Sequence, residues 1–144
     1  MESFRPSQSI KVMNEIKNIL VVDDEKDVEY LFLQRFRKEI KNKALSLSFA
    51  FSADEALAYL KEMSANDIVL VLSDINMPGK SGIELLQIIK KDFPDLKVIM
   101  VSAYNDEEHR NMAQNSGADD FISKPVDFSI LKERVMMEIE NINS

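Results

Sequence analysis

Short apolar runs built for strands alternate along this chain with longer segments of helical period, and that alternation most narrows what it can fold into. Ile19 to Val22, Leu45 to Phe51, Ile68 to Ser73, Val98 to Val101 and Phe121 to Ser123 read as strands. A segment with apolar residues spaced three and four apart follows each: Glu25 to about Lys41, Ala53 to Met63, Ile83 to Asp92, Asp106 to Asn115, and Asp127 to about Asn141. Repeated strand and helix units call for parallel strands joined by helical crossovers. The expected fold is therefore α/β, a single five-stranded parallel sheet flanked by five helices. The run IVLVLS is nearly continuous in apolar residues, as a central strand covered on both faces requires.

Local chemistry marks the boundaries. Leu45, Leu47, Phe49 and Phe51 alternate with Ser46, Ser48 and Ala50, a period of two, and Ser52 is placed to cap the next helix with Glu55 in the capping-box position. Phe93-Pro94 stops the third helix, because a residue before proline is pushed out of helical geometry. Gly117 ends the fourth. Residues 1–17 read as a flexible leader with one helical turn near Ile10 to Ile16, residues 18–141 as one folded domain, and 142–144 as a C-terminal tail. A length of 144 residues suits one ordinary domain.

Charge and composition exclude several jobs. The 25 acidic residues against 18 basic ones, a formal charge of −7, argue against binding a nucleic-acid backbone. The absence of cysteine removes disulfides and thiolate metal sites and fits a reducing compartment. No apolar run approaches membrane-spanning length, and MESFRPSQSIKVM lacks the apolar core of a signal peptide. The expected location is cytoplasmic, with neither nucleic acid nor membrane as partner.

The chemistry-bearing residues fall where strands break into loop. Asp23 and Asp24 follow the first strand, Asp74 closes the third and Lys124 follows the fifth. Ligands of parallel sheets bind outside the carboxyl ends of the strands, so these groups should share one rim. Crowded carboxylates there call for a divalent cation, and Mg²⁺ suits one or two carboxylates plus phosphate oxygens. Asp74, closing the central strand, is the best nucleophile toward phosphorus, with Lys124 as the balancing cation. Pro78, Gly79 and Gly82 let the chain turn sharply beside it, which would bring the Asn76 carbonyl to the metal. Ser102 could donate to a phosphoryl oxygen, and Lys124-Pro125 is a candidate cis bond. Alone, the paired aspartates are a helix cap and the lysine a surface charge; their joint placement carries the reading. His109 reads as solvated, and the methionines of the last helix as core.

The DD after the first strand, the D-x-N-M-P-G-x-x-G loop at 74–82, Ser102-Ala103 and the K-P after the fifth strand resemble the receiver domain of two-component response regulators, from residue 18 to about 141. The resemblance implies a flavodoxin-like strand order of 2-1-3-4-5. It implies Asp74 as phosphoacceptor, Asp23 and Asp24 for Mg²⁺, Lys124 for the phosphoryl group, and Ser102 with Phe121 as a switch pair. Asn76 and Tyr104 then match the positions that flank the path of water to the phosphorus. The implied donor is a histidine kinase or histidine phosphotransfer protein. The implied output is contact with a downstream protein through the face around the fourth helix, fifth strand and fifth helix, which is also a candidate homodimer surface. Phe121 departs from the family's frequent tyrosine and has no hydroxyl to offer a partner. Such a protein is not an enzyme beyond phosphorylating itself from donors and losing that phosphate. A haloacid-dehalogenase-like phosphatase is the rival, but it needs D-x-D and Asn76 stands at the second acid. A receiver that never accepts phosphate, and the N-terminal receiver of a longer protein with an output domain, are the remaining alternatives.

Overall fold

The computed structural model describes residues 16–63, 67–103 and 107–143. Five strands, β1 (Lys17–Val22), β2 (Leu45–Ala50), β3 (Leu70–Asp74), β4 (Lys97–Ser102) and β5 (Asp120–Ser123), pair in parallel in the order β2-β1-β3-β4-β5. The helices among the described residues are α1 (Asp27–Arg35), α2 (Arg37–Lys41), α3 (Ala53–Glu62), α4 (Gly82–Asp92), α5 (Glu107–Asn115) and α6 (Phe128–Asn143). Both faces of the sheet are covered. Leu20, Val22, Val71, Val98 and Met100 pack against α3, α4 and Ala113 of α5. Ile19, Val21, Leu70, Leu72, Ile99 and Val101 point the other way, onto Phe32 and Phe36 and onto Leu131, Val135 and Ile139 of α6. Successive residues of a strand face opposite sides, so the unbroken apolar run in β3, buried along its whole length, serves both cores.

The helix expected from Glu25 to Lys41 is two helices, which makes six among the described residues rather than five. Phe36 breaks it at φ −99° and ψ 12°. Hydrogen bonds continue through the break, from Phe36 N–H to the Phe32 carbonyl and from Ile40 N–H to the Phe36 carbonyl, each at 2.9 Å. The apolar period is therefore undisturbed, and the sequence pattern runs straight across. The bend leaves Phe36 1% exposed, stacked on Phe32 at 5.9 Å and edge-on to Phe128 at 6.4 Å. Predicted helices two to five correspond to α3 to α6. The last of them runs to Asn143 rather than Asn141, with no glycine or proline to stop it, and so takes in residues assigned to a tail. The first strand starts at Lys17, and the leader before Ile16, with the helical turn expected there, lies outside the described residues.

Two caps hold the helices that flank the acidic rim. Ser52 accepts from Glu55 N–H at 3.0 Å as expected, but the Glu55 carboxylate returns to Phe51 N–H, one residue before the cap. A full capping box appears instead at Ser81 and Glu84, starting α4 at Gly82. Gly82 also donates its N–H to the Ile75 carbonyl at 2.8 Å, drawing the start of α4 onto the chain that leaves β3. A Cβ at this position would stand 2.0 Å from the Asp74 carbonyl oxygen and 2.7 Å from Ile75 Cα, both backbone atoms with little freedom to yield. Gly82→Ala is thus expected to destabilise the domain by about 3 kcal/mol, measured as a lowered urea midpoint with an unchanged slope. A loss below about 1 kcal/mol would mean that the β3–α4 loop yields freely.

Candidate functional site

Register brings the scattered acids to one rim. Val22 stands opposite Ser73, so Asp23 and Asp74 leave the carboxyl ends of β1 and β3 side by side. One carboxylate oxygen from each of Asp23, Asp24 and Asp74 lies within 4.8 Å of the others. Asp23 and Asp74 are buried, each 7% exposed, while Asp24 faces solvent. Backbone donors aim the buried pair: Glu25 N–H reaches Asp23 Oδ1 at 3.0 Å, and Asn76 N–H reaches Asp74 Oδ1 at 3.4 Å. This all-oxygen donor set, fixed on one side and open to water on the other, fits a hard divalent cation that retains several waters.

Lys124 arrives from the far side of β4. Its N–H donates to the Ser102 carbonyl at 2.8 Å, which holds the exit of β5 against β4. Its ammonium then lies 3.3 Å from Asp23 Oδ2 and 3.4 Å from Asp74 Oδ2. The Lys124–Pro125 peptide bond is cis, as the sequence suggested. Burial raises the Asp74 carboxyl above its ordinary range, the Asp23 charge adds to the rise, and Lys124 opposes it. Burial pulls Lys124 down, but the attraction of Asp74 and Asp23 outweighs it and the net movement is upward. The lysine is therefore firmly charged.

The other residues singled out in the sequence lie along the same rim. Ser102 is fully buried at the end of β4, opposite Ser123. Phe121, opposite Met100, is half-buried against the core on the α3 to α5 face. Asn76, two residues past Asp74, is exposed on a loop anchored by the buried side chains of Ile75 and Met77. Tyr104 lies outside the described residues. His109 is half-buried on α5 rather than solvated. Sequence reasoning missed a cavity of about 370 Å³ beside the acids, lined by Val28, Leu31, Phe32, Val126 and Phe128 among others. It lies between the inner stripe of α1 and the chain after β5, which meet at Phe32 and Phe128, 5.2 Å between ring centroids.

The sequence model of the response regulator receiver domain matches residues 19–136. The chain belongs to this family. Chemotaxis protein CheY-3 of Vibrio cholerae is 32% identical over 128 residues, 86% of this chain and 92% of its own length. The DNA-binding transcriptional regulator NtrC of Proteus hauseri is 33% identical over 110 residues, 76% of this chain. The matched stretch is only 22% of that longer regulator. A CheY-like response regulator receiver domain protein from Methanospirillum hungatei JF-1 superposes with a TM-score of 0.80 at 31% identity, covering 90% of this chain and 98% of its own. The response regulator protein TrrA of Thermotoga maritima, solved in complex with Mg²⁺ and BeF, gives 0.73 at 32% identity, covering 85% and 99%. As a receiver domain, the chain is a module of two-component signalling with the flavodoxin-like fold expected of it.

The raised Asp74 carboxyl has a consequence for stability. A carboxyl whose folded pKa lies above its unfolded one destabilises the fold while it is charged, and that cost vanishes as pH falls through the raised value toward the ordinary one. Without added metal, Asp74→Asn is expected to raise the thermal midpoint at pH 7 by roughly 3 °C, the response to about 1 kcal/mol in a domain of this size. The gain should disappear near pH 4. Calorimetry of both proteins across that range checks it, and a lower midpoint at pH 7 would show that the ion pair with Lys124 outweighs burial.

Proposed function

We infer that this receiver accepts a phosphoryl group on Asp74 from a phosphohistidine donor, either a histidine kinase or a histidine phosphotransfer protein, and signals by the protein contacts that follow. The observation that carries this reading is the ammonium of Lys124 shared between Asp23 and Asp74 at the mouth of an acidic cluster. In the transfer, an Asp74 carboxylate oxygen bonds to phosphorus as the bond from phosphorus to the donor imidazole nitrogen breaks. The electron pair returns to the ring, which then takes a proton from water. Lys124 meets the charge on the arriving oxygens. The carboxylates of Asp23, Asp24 and Asp74, with the Asn76 carbonyl, are the groups that would hold Mg²⁺, which when bound offsets their charge and that of the phosphoryl group.

Ser102 and Phe121 are the proposed switch pair. Ser102 ends β4 beside the exit of β3, and Phe121 lies on the neighbouring strand, close enough for one movement to be felt by the other. Asn76 and Tyr104 are proposed to flank the approach of water to the phosphorus. Signalling is assigned to the face of α5, β5 and α6, where Met112, Ile130 and Met137 are exposed; a protein target or a second copy of the chain would cover them. The domain is taken as residues 18–141, working in the cytoplasm. An output domain in a longer protein is compatible with the length of NtrC. No helix among the described residues is long and apolar enough to cross a membrane. The hydrolase alternative gains nothing from the structure, since the residue two past Asp74 is an amide on an exposed loop.

Incubation with acetyl phosphate and Mg²⁺ is expected to add one hydroxylamine-labile phosphoryl group, read by intact mass. Asp74→Asn or excess chelator should abolish it, and Lys124→Met should slow it by roughly a hundredfold, the loss expected on removing a preorganised charge donor. Labelling that survives in Asp74→Asn would place the nucleophile elsewhere. Labelling that survives chelation would remove the metal from the mechanism.

A further inference from the structure

Helix α5 is lightly anchored: Ala113 is its one buried residue among those described. Its attachment to β5 therefore leans on contacts at its surface, and Arg110 makes two of them at once. The guanidinium carbon lies 4.9 Å from the centroid of the Phe121 ring, and Nη2 donates to Ser123 Oγ at 3.2 Å. Phe121 and Ser123 are two apart on a strand and so face the same side. The next residue is Lys124, whose ammonium joins Asp23 and Asp74. One arginine thus touches both an aromatic ring and the hydroxyl that immediately precedes the site lysine. A groove of about 330 Å³ lined by Arg110, Ala113, Ala118 and Phe121 among others adjoins the ring, which is only partly buried against the core.

We propose that Arg110 is a latch that holds Phe121 in its resting position and α5 against β5, and so sets the resting balance of the switch. The latch rests on the reading of Ser102 and Phe121 as the switch pair. Its physics is a difference between two states. A guanidinium gains from a ring only when the ring face lies under it, so any state in which Phe121 turns away forfeits the contact. The donor bond to Ser123 keeps the fork aimed while β5 stays in place. A group bound at Asp74 favours the moved state only by its own differential affinity, and it works against this contact. Removing the arginine lowers that opposition without touching a site residue.

The test is a beryllofluoride titration of the full chain at saturating Mg²⁺, following amide resonances near Asp74 and the ring resonances of Phe121. Arg110→Ala is expected to bind roughly three- to fivefold more tightly than the parent, about 0.6–1 kcal/mol. Its Phe121 resonances should already be displaced toward the adduct positions before beryllofluoride is added. Arg110→Lys keeps a charge over the ring but loses the planar fork, and should fall between the two. Asn115→Ala, exposed on the same helix, should match the parent. A purely structural arginine would lower the unfolding midpoint without tightening binding. Unchanged or weaker binding by Arg110→Ala, with a parent that responds at Phe121, overturns the latch and leaves the switch pair standing. A parent that does not bind beryllofluoride, or binds it with no response at Phe121, overturns the switch reading and the latch with it.

Discussion

Lys124 joins two carboxylates that the sheet register does not let part. β1 and β3 are neighbours in parallel register, with Asp23 directly after β1 and Asp74 closing β3 at the same height, so the separation of the two acids is set by strand spacing rather than by side-chain choice. Two like charges about 4 Å apart repel by about 4 kcal/mol at the effective dielectric of ~20 usual near a protein surface. An ammonium 3.3 and 3.4 Å from the two of them opposes a cost of that order. With Asp24 included, three carboxylates and one ammonium leave two negative charges when all are ionised, the complement of one divalent cation. The burial that raises the Asp74 carboxyl acts on the same group, so a bound divalent cation would relieve the charge crowding and the burial together.

Much of this frame was legible in the sequence, and for identifiable reasons. Alternation of strand and helix dictates parallel pairing, and parallel pairing dictates that Asp23, Asp24, Asp74 and Lys124 share a rim; no side-chain detail is needed for either step. Strand order came from the family motifs, because apolar runs carry no information about which neighbour they choose. The misses have a different origin. The break at Phe36 is invisible to periodicity because the hydrogen-bonded frame runs through it. The cap at Ser52 was read correctly, but its glutamate found the N–H of Phe51, a choice made by local geometry. The full capping box at Ser81 and Glu84 is legible in its S-x-x-E spacing. Arg110, lying over Phe121, was beyond sequence reasoning, since the contact joins a helix to a strand that pattern alone does not orient.

The backbone path from Asp74 outward links the acidic rim to the far edge of the sheet. β3 is buried along its whole length, and Asp74 is paired to Val101, so the proposed acceptor stands on a firmly held strand. β4 carries the connection one strand further: Ser102 is fully buried, and its carbonyl receives the N–H of Lys124. Lys124 therefore reads two things at once, the charge on the acids through its ammonium and the position of β4 through its backbone.

Beyond Lys124 the fold becomes softer. β5 is an edge strand of four residues with only Ile122 buried, and α5 beside it buries only Ala113 among its described residues. Free energies of local opening follow the apolar surface each element buries, so this edge opens more readily than β1 or β3. On the proposed reading, a charge placed on the rigid half would not need to deform that half. It would need only to alter the pull on Lys124 for the response to fall where restoring forces are weakest, at β5 and α5.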